Sequence, residues 1–312
     1  MPISLGGKAA IVTGSGSGLG AAYAKALAAA GAAVVVNDVD EAAAHAIESE
    51  IRTAGGRATS VVAPVGTSEV AQRLVEAALD AFGRLDILVT NAGILRDKSF
   101  LKMSDEDFDA VIDVHLRGTF TCARAAARHF KEHEVRGRII AIGSPTGQRG
   151  NFGQTNYAAA KAGIVGMVRT WAIELRKAGI TANAVIPVAA TAMTKTIPYF
   201  AAAVESAERG EPMPAFFRHD LGFGVPEDVA GLVVWLASDQ AGDVTGQAIG
   251  AGGDRLQLWS HPEVLESWYH EGGWSADDIE TELGGEIHGR LQSVGEPPWP
   301  ALPPELERPR QA

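Results

Sequence analysis

Cysteine is nearly absent: Cys122 is the only one in 312 residues. A single thiol excludes an internal disulfide framework and any cysteine-cluster metal site, so no metal is expected. Cys122 itself reads as a small apolar residue buried in a helix. Positive charge is also short, with 27 Lys and Arg against 38 Asp and Glu and a formal net charge of −11. A dedicated nucleic-acid binder needs a basic stripe, so no nucleic-acid partner is expected. Aromatic residues make up only 6 % of the chain. Long apolar runs are missing too: the longest candidates, Gly31–Val36 and Val229–Ala237, are strand- and helix-sized. A membrane span needs about 18 residues or more, so no membrane partner is expected. The N-terminus does not read as a secretory leader, because a first strand starts by Lys8. A soluble, cytoplasmic protein is the default expectation.

What the chain has in quantity is small residues and alternation. Hydrophobic residues reach 46 % and glycines number 36, enough for a real core with close helix packing. Seven apolar runs read as strands: Lys8–Thr13, Ala32–Asp38, Ala58–Ala63, Leu85–Thr90, Gly137–Gly143, Thr181–Ile186 and Gln247–Gly250. Most are apolar without alternation, as expected of strands covered on both faces. Between them lie helical windows at Leu19–Ala30, Ser68–Phe82, Ser104 to about Lys131, Asn156–Ala178 and Glu227–Ala237. Such alternation predicts an α/β domain around a doubly wound parallel sheet of seven strands, over residues 1–253. From Asp254 the alternation stops. The extension 254–312 holds four of the six Trp residues (Trp259, Trp268, Trp274 and Trp299), one short helix over Ser275–Leu283 and a Pro-rich stretch over Glu296–Arg310. Dense Trp predicts packing onto the body, onto a neighbouring subunit, or over a substrate cleft.

The first strand runs into Thr13-Gly14-Ser15-Gly16-Ser17-Gly18-Leu19-Gly20. Glycines between a strand and a helix let a phosphate approach backbone N–H groups at a helix N-terminus, where a Cβ would block it. Gly14, Ser17, Gly18, Leu19 and Gly20 are therefore candidate cofactor contacts. Asp38 ends the second strand, 24 residues after Gly14. Its carboxylate suits an adenosine ribose and repels a 2′-phosphate. Asn37, Val39, Asp40 and Glu41 offer no cation to hold one, so NAD is expected ahead of NADP. Asn91, Ala92 and Gly93 close the fourth strand with small residues, which fits a cofactor crevice and also an ordinary turn. Tyr157 and Lys161 stand four apart in a helix and share a face. An ammonium beside a phenol predicts a lowered Tyr157 pKa and a role as general acid/base. Ser144 ends the fifth strand and reads as a hydroxyl for the substrate oxygen or as a loop-starting serine before Pro145.

Together these motifs resemble the short-chain dehydrogenase/reductase family over roughly residues 5–253. Pro187, Pro226-Glu227-Asp228-Val229-Ala230 and Thr245-Gly246-Gln247 agree with it. The resemblance implies a Rossmann-type oxidoreductase, commonly a homo-oligomer (tetramer or dimer). It implies Tyr157 as acid/base, Lys161 on the nicotinamide ribose and Ser144 orienting the substrate. The stretches Asn91–Asp97, Val114–Gly118 and Gly150–Tyr157 are similar to the (3R)-hydroxyacyl-CoA dehydrogenase domains of type 2 multifunctional enzymes and to bacterial 17β-hydroxysteroid dehydrogenases. That implies oxidation of a secondary alcohol on a bulky apolar substrate, with reduction of 3-oxoacyl, terpene or other small carbonyls as the alternative. A non-catalytic NAD-binding regulator is the reading from another class.

Three positions depart from the family pattern. His115 stands where the family carries a catalytic Asn, and reads either as a relay member bonded to a water or carbonyl near Lys161 or as a packed helix residue. Val65, after Pro64, replaces an acidic adenine contact and leaves only backbone there. Pro187-Val188 replaces Pro-Gly and alters the loop to Thr194, in which Thr191 is a candidate carboxamide contact. Substrate contacts are expected from Leu95, Arg96, Pro145, Gln148, Phe152 and Met193, the last opening a segment that runs to Phe217.

Overall fold

The computed structural model describes residues 3–191, 194–295 and 298–306. Its centre is one sheet built from β1 (Ala9–Thr13), β2 (Ala33–Asp38), β3 (Arg57–Val62), β4 (Ile87–Thr90), β5 (Arg138–Ile142), β6 (Thr181–Pro187), β7 (Ala248–Gly252) and β8 (Arg255–Leu258). Spatial order is β3-β2-β1-β4-β5-β6-β7-β8. Every pair from β1 to β7 is parallel. The chain reverses its direction of travel across the sheet between β1 and β4, and a doubly wound sheet opens its ligand crevice at such a point.

Eight strands stand where seven are expected, because the sheet gains one more strand past Asp254. Gly253-Asp254 forms a two-residue turn, and β8 returns antiparallel with Gly252 opposite Arg255. Glycine followed by aspartate is ordinary hairpin chemistry, but Arg255–Leu258 is mostly exposed and has no apolar run to mark it.

Helices cover both faces. On one side α1 (Gly18–Ala29), α2 (Glu41–Thr53) and α9 (Pro226–Ala237) share a core with Val12, Val34, Val89 and Val185. On the other, α3 (Ser68–Phe82) and α5 (Gly118–Glu132) pack Leu74, Ala126 and Phe130 against Ile11, Leu88 and Ile139. α7 (Thr155–Glu174) adds Ile164, Val165 and Val168 beside Ala141 and Ile186. Burying a side chain such as Leu74 is worth about 1.5–3 kcal/mol, so these two layers hold the strand ends in place. Cys122 lies in this core, and burial pushes its thiol up to about 12.

One expected helix is split. α4 (Asp105–Val111), capped by Ser104 accepting from the Asp107 N–H at 3.2 Å, passes into a π-helical turn over Ile112–Arg117 before α5 begins. A π turn adds a residue to the helical repeat and re-aims the side chains after it. Here His115, within the turn, faces inward and is only 2 % exposed. Two further helices, α6 (Pro145–Arg149) and α8 (Pro198–Glu208), lie at the C-terminal ends of β5 and β6.

Candidate active site

The crevice is assembled from strand ends. β1 delivers the glycine loop, β2 delivers Asp38, β4 delivers Asn91–Gly93, β5 delivers Ser144, and β6 delivers Pro187. Gly14 has φ +60°, and a Cβ there would lie 2.6 Å from the Ala92 Cα. Only glycine fits, because β1 and β4 close onto each other at this point. Asn91 secures the contact: its Nδ2 donates to the Thr13 and Gly14 carbonyls at 3.1 and 2.8 Å. The Thr13 hydroxyl accepts from the Asn91 and Ala92 N–H groups. Asn91 thus holds the glycine loop itself.

At the N-terminus of α1 the Ser17 side chain makes no capping bond, and the first turn carries no acid. A twelve-residue helix then presents free N–H groups and its positive dipole end, which suits a phosphate. Thr191 lies over this turn, with its Cγ2 3.9 Å from where a Gly18 Cβ would project. Asp38 accepts from the Gly16 N–H at 2.8 Å and from the Val39 and Asp40 N–H groups at 2.8 and 3.1 Å. The bonds fix the carboxylate at the loop. Val65 turns its side chain onto α5, where a Cβ on Gly118 would meet its Cγ2 at 2.8 Å.

Ser144, Tyr157, Lys161 and His115 come together at the floor. Ser144 is the N-cap of α6, accepting from the Thr146 N–H at 3.2 Å, and its hydroxyl lies near enough to the Tyr157 phenol to lower its pKa. Lys161 is 3 % exposed; its Nζ donates to the Ile142 carbonyl at 2.6 Å and lies 5.6 Å from the Tyr157 ring centre. The charge chemistry departs from the expected lowering at Tyr157. Burial pushes its phenol above the ordinary range, and only the Ser144 hydroxyl pulls it down. Burial also pulls Lys161 down to about 7. An amine that is about half protonated near pH 7 and committed to a carbonyl gives the phenol less help than a full ammonium would.

His115 meets the Tyr157 ring edge-on at 5.2 Å. Its Nε2 lies 2.8 Å from the Ile94 carbonyl and 3.0 Å from the Ile94 N–H, and its Nδ1 is buried without a partner. Burial, then the nearby Lys161 charge, pulls it down to about 3. The ring occupies the place of a Gly93 side chain, 2.2 Å from where that Cβ would be. Glycine 93 therefore serves the packing of His115 in this structure.

The expected substrate positions scatter more. Pro145 and Gln148 belong to α6, and Leu95 and Arg96 to the loop after Gly93, where Arg96 is exposed and bonds the Leu95 carbonyl. Phe152 is 88 % exposed. Met193 lies outside the described residues. Sequence reasoning gave no role to Asn156, which is wholly buried beside Tyr157. Its Nδ2 donates to the Arg96 and Asp107 carbonyls at 3.1 and 3.0 Å, and its Oδ1 accepts from the Tyr157 N–H. It ties the Leu95–Arg96 loop and α4 to the start of α7. An amide beside a tyrosine in a helical stretch carries no signal of that in one sequence.

A parallel sheet with this crossover, a glycine loop and a Ser-Tyr-Lys floor define a nicotinamide-type oxidoreductase fold. The family model described as enoyl-(acyl carrier protein) reductase matches residues 14–253, and the chain belongs to the short-chain dehydrogenase/reductase family. It is 42 % identical over 261 residues to mouse peroxisomal multifunctional enzyme type 2, covering 80 % of this chain and 32 % of that protein. The chain thus corresponds to about a third of the mouse enzyme's length. It is 42 % identical over 258 residues to a 3-oxoacyl-[acyl-carrier-protein] reductase of Synechocystis, covering 82 % of this chain and 99 % of that one. A crystal structure of a short chain dehydrogenase from Mycobacterium avium superposes with a TM-score of 0.79 at 34 % identity, over 93 % of this chain and 98 % of that one. The protein is an oxidoreductase enzyme.

Proposed function

We propose that the chain interconverts a secondary alcohol and a ketone on a bulky apolar substrate, of hydroxyacyl-CoA or hydroxysteroid type, with NAD as cofactor. The observation that carries the reading is the convergence of Ser144, Tyr157 and Lys161 on one side of the crevice whose other side is the uncapped α1 N-terminus. The free N–H groups from Ser17 to Leu19 would hold a pyrophosphate, and Gly18, at φ +53°, puts no side chain in its way. Asp38 would take the adenosine ribose, and its fixed negative charge disfavours a 2′-phosphate. Backbone at Val65 would face the adenine, with Pro187, Thr191 and Asn91–Gly93 toward the nicotinamide end. Bound there, the nicotinamide supplies the acceptor for a hydride.

The chain's own residues do the rest. Ser144 Oγ and Tyr157 Oη hydrogen-bond the substrate oxygen and fix its direction. In reduction the neutral Tyr157 phenol gives its proton to the carbonyl oxygen and is left as phenolate; in oxidation the phenolate takes the hydroxyl proton and becomes neutral. Lys161 Nζ, in its protonated form, steadies the phenolate charge on Oη, an effect enlarged in a dry site. His115 acts as a positioning residue: its one engaged nitrogen, Nε2, bonds the Ile94 backbone and so sets the wall after Gly93. Nε2 donates to the carbonyl when it carries the proton and accepts from the N–H when it does not. Apolar side chains of Leu95 and of α8 face the greasy part of the substrate. The Synechocystis relative, named as a 3-oxoacyl-[acyl-carrier-protein] reductase, supports an acyl substrate. We also propose a cytoplasmic homo-oligomer; the exposed Phe120 and Ile173 on α5 and α7 support the interface that this needs. Among the described residues no helix is long and apolar enough to cross a membrane.

The test is Tyr157→Phe assayed with NAD and a panel of hydroxysteroids and 3-hydroxyacyl-CoAs. Turnover is expected to vanish while NADH binding persists. Wild-type kcat in the variant would remove Tyr157 from the chemistry.

A further inference from the structure

The extension reaches the catalytic side of the fold, and it bridges two walls there. The Gly295 N–H donates to the Arg149 carbonyl at 2.8 Å, at the end of α6. The Tyr199 hydroxyl of α8 donates to the Pro300 carbonyl, also at 2.8 Å. Between these anchors Trp299 stacks on Tyr199 and meets Phe200 edge-on, each with ring centres 4.9 Å apart. Leu302 and Leu306 continue the contact onto the cluster of Phe200, Val204 and Phe217.

The bridge leaves a cleft of about 430 Å³ beneath it, lined by Arg149, Asn151 and Phe152 from the body and by Val294, Pro298 and Trp299 from the extension. A cleft of some hundreds of Å³ takes a small-molecule group. Its floor is the segment that joins two residues of the site: Arg149 is five residues after Ser144, and Phe152 five before Tyr157. A five-residue helix is only about 7.5 Å long, so Arg149 at the cleft's edge stands about one short helix from Ser144. Two aromatic side chains line it with surface to spare, Phe152 being 88 % and Trp299 46 % exposed. The Arg149 guanidinium lies over the Trp259 ring, 5.4 Å from its centre, so the extension holds this loop through a second contact.

We propose that this cleft is a distal subsite of the substrate site, taking the apolar end of the secondary alcohol, an alicyclic ring system or alkyl chain, between Phe152 and Trp299. The alcohol end then lies at Ser144 and Tyr157. Trp299 is a specificity-determining residue that the extension brings to a site otherwise made by the body. This rests on the alcohol-oxidoreductase reading of the site.

The test compares kcat/KM for testosterone with that for isopropanol in the full-length protein. In W299A and in F152A the ratio is expected to fall about tenfold, with the Kd of NADH unchanged. Phe152 is almost wholly exposed, so F152A keeps its fold and decides alone if W299A does not fold. An unchanged ratio in a folded variant overturns the subsite. A second reading needs no turnover: hydrogen exchange at the Gly295 amide, in protein saturated with NADH, is expected to slow on adding androstenedione. Unchanged exchange there overturns the subsite, as does slowing that follows protein concentration, which would assign the cleft to a second copy of the chain. Absence of turnover on every alcohol counts against the oxidoreductase reading instead, and leaves the exchange result to judge the cleft.

Discussion

His115 makes a sharp prediction about acid stability. The imidazole is buried, its Nε2 is engaged by Ile94, and its Nδ1 has no partner to receive a second proton. Protonation in the fold would place a charge at Nδ1 in a dry site near Lys161. The folded value is accordingly about 3, against 6.5 for a free imidazole. Between those values the unfolded chain binds the extra proton and the folded one does not. Stability is therefore complete above pH 6.5 and falls as pH drops toward 3. One pH unit is worth about 1.36 kcal/mol, so at pH 5 this one residue withdraws about 2 kcal/mol. Urea unfolding at pH 7.5 and pH 5 measures it, in the wild type and in His115→Asn, which cannot titrate. The wild type is expected to lose about 2 kcal/mol more than the variant over that interval, since other groups cancel in the difference. Equal losses in the two proteins would refute a neutral, buried His115.

Other consequences follow from particular contacts. Gly93→Ala puts a methyl 2.2 Å from the His115 ring and is expected to cost about 1–3 kcal/mol in urea unfolding. Asn156→Ala strips the donors from the Arg96 and Asp107 carbonyls; a loss of about 2 kcal/mol and a reduced kcat are expected, by unfolding and steady-state assay. Asp38→Ala removes the charge fixed at the glycine loop, and the preference for NAD over NADP in kcat/KM is expected to drop by about tenfold to a hundredfold, roughly 1–3 kcal/mol of lost repulsion.

Much of this was legible in the sequence because its physical demands are local. Continuous apolar runs gave the parallel strands, and the glycines after β1 gave the loop. The Tyr157–Lys161 spacing placed both side chains on one helix face. What was not legible depends on distant partners. Gly93 reads as a cofactor-facing glycine until His115 is seen lying in the place of its side chain, 22 residues along the chain. The π turn that aims His115 inward has no composition of its own. Asn156 looks like any helix amide until its three bonds are counted. The Tyr157 phenol shows the limit of spacing arguments: four residues bring Lys161 near, but burial and the Ile142 carbonyl set the charge balance. β8 escaped because its exposed residues imitate a loop.

The central claim is hydride transfer from a carbinol carbon with Tyr157 handling the proton. It is tested most directly with a secondary alcohol deuterated at that carbon, NAD, and mass spectrometry of the NADH formed. The account predicts one deuterium in each NADH from the wild type and no labelled NADH from Tyr157→Phe. Unlabelled NADH from the wild type, or equal labelled product from the variant, would contradict it.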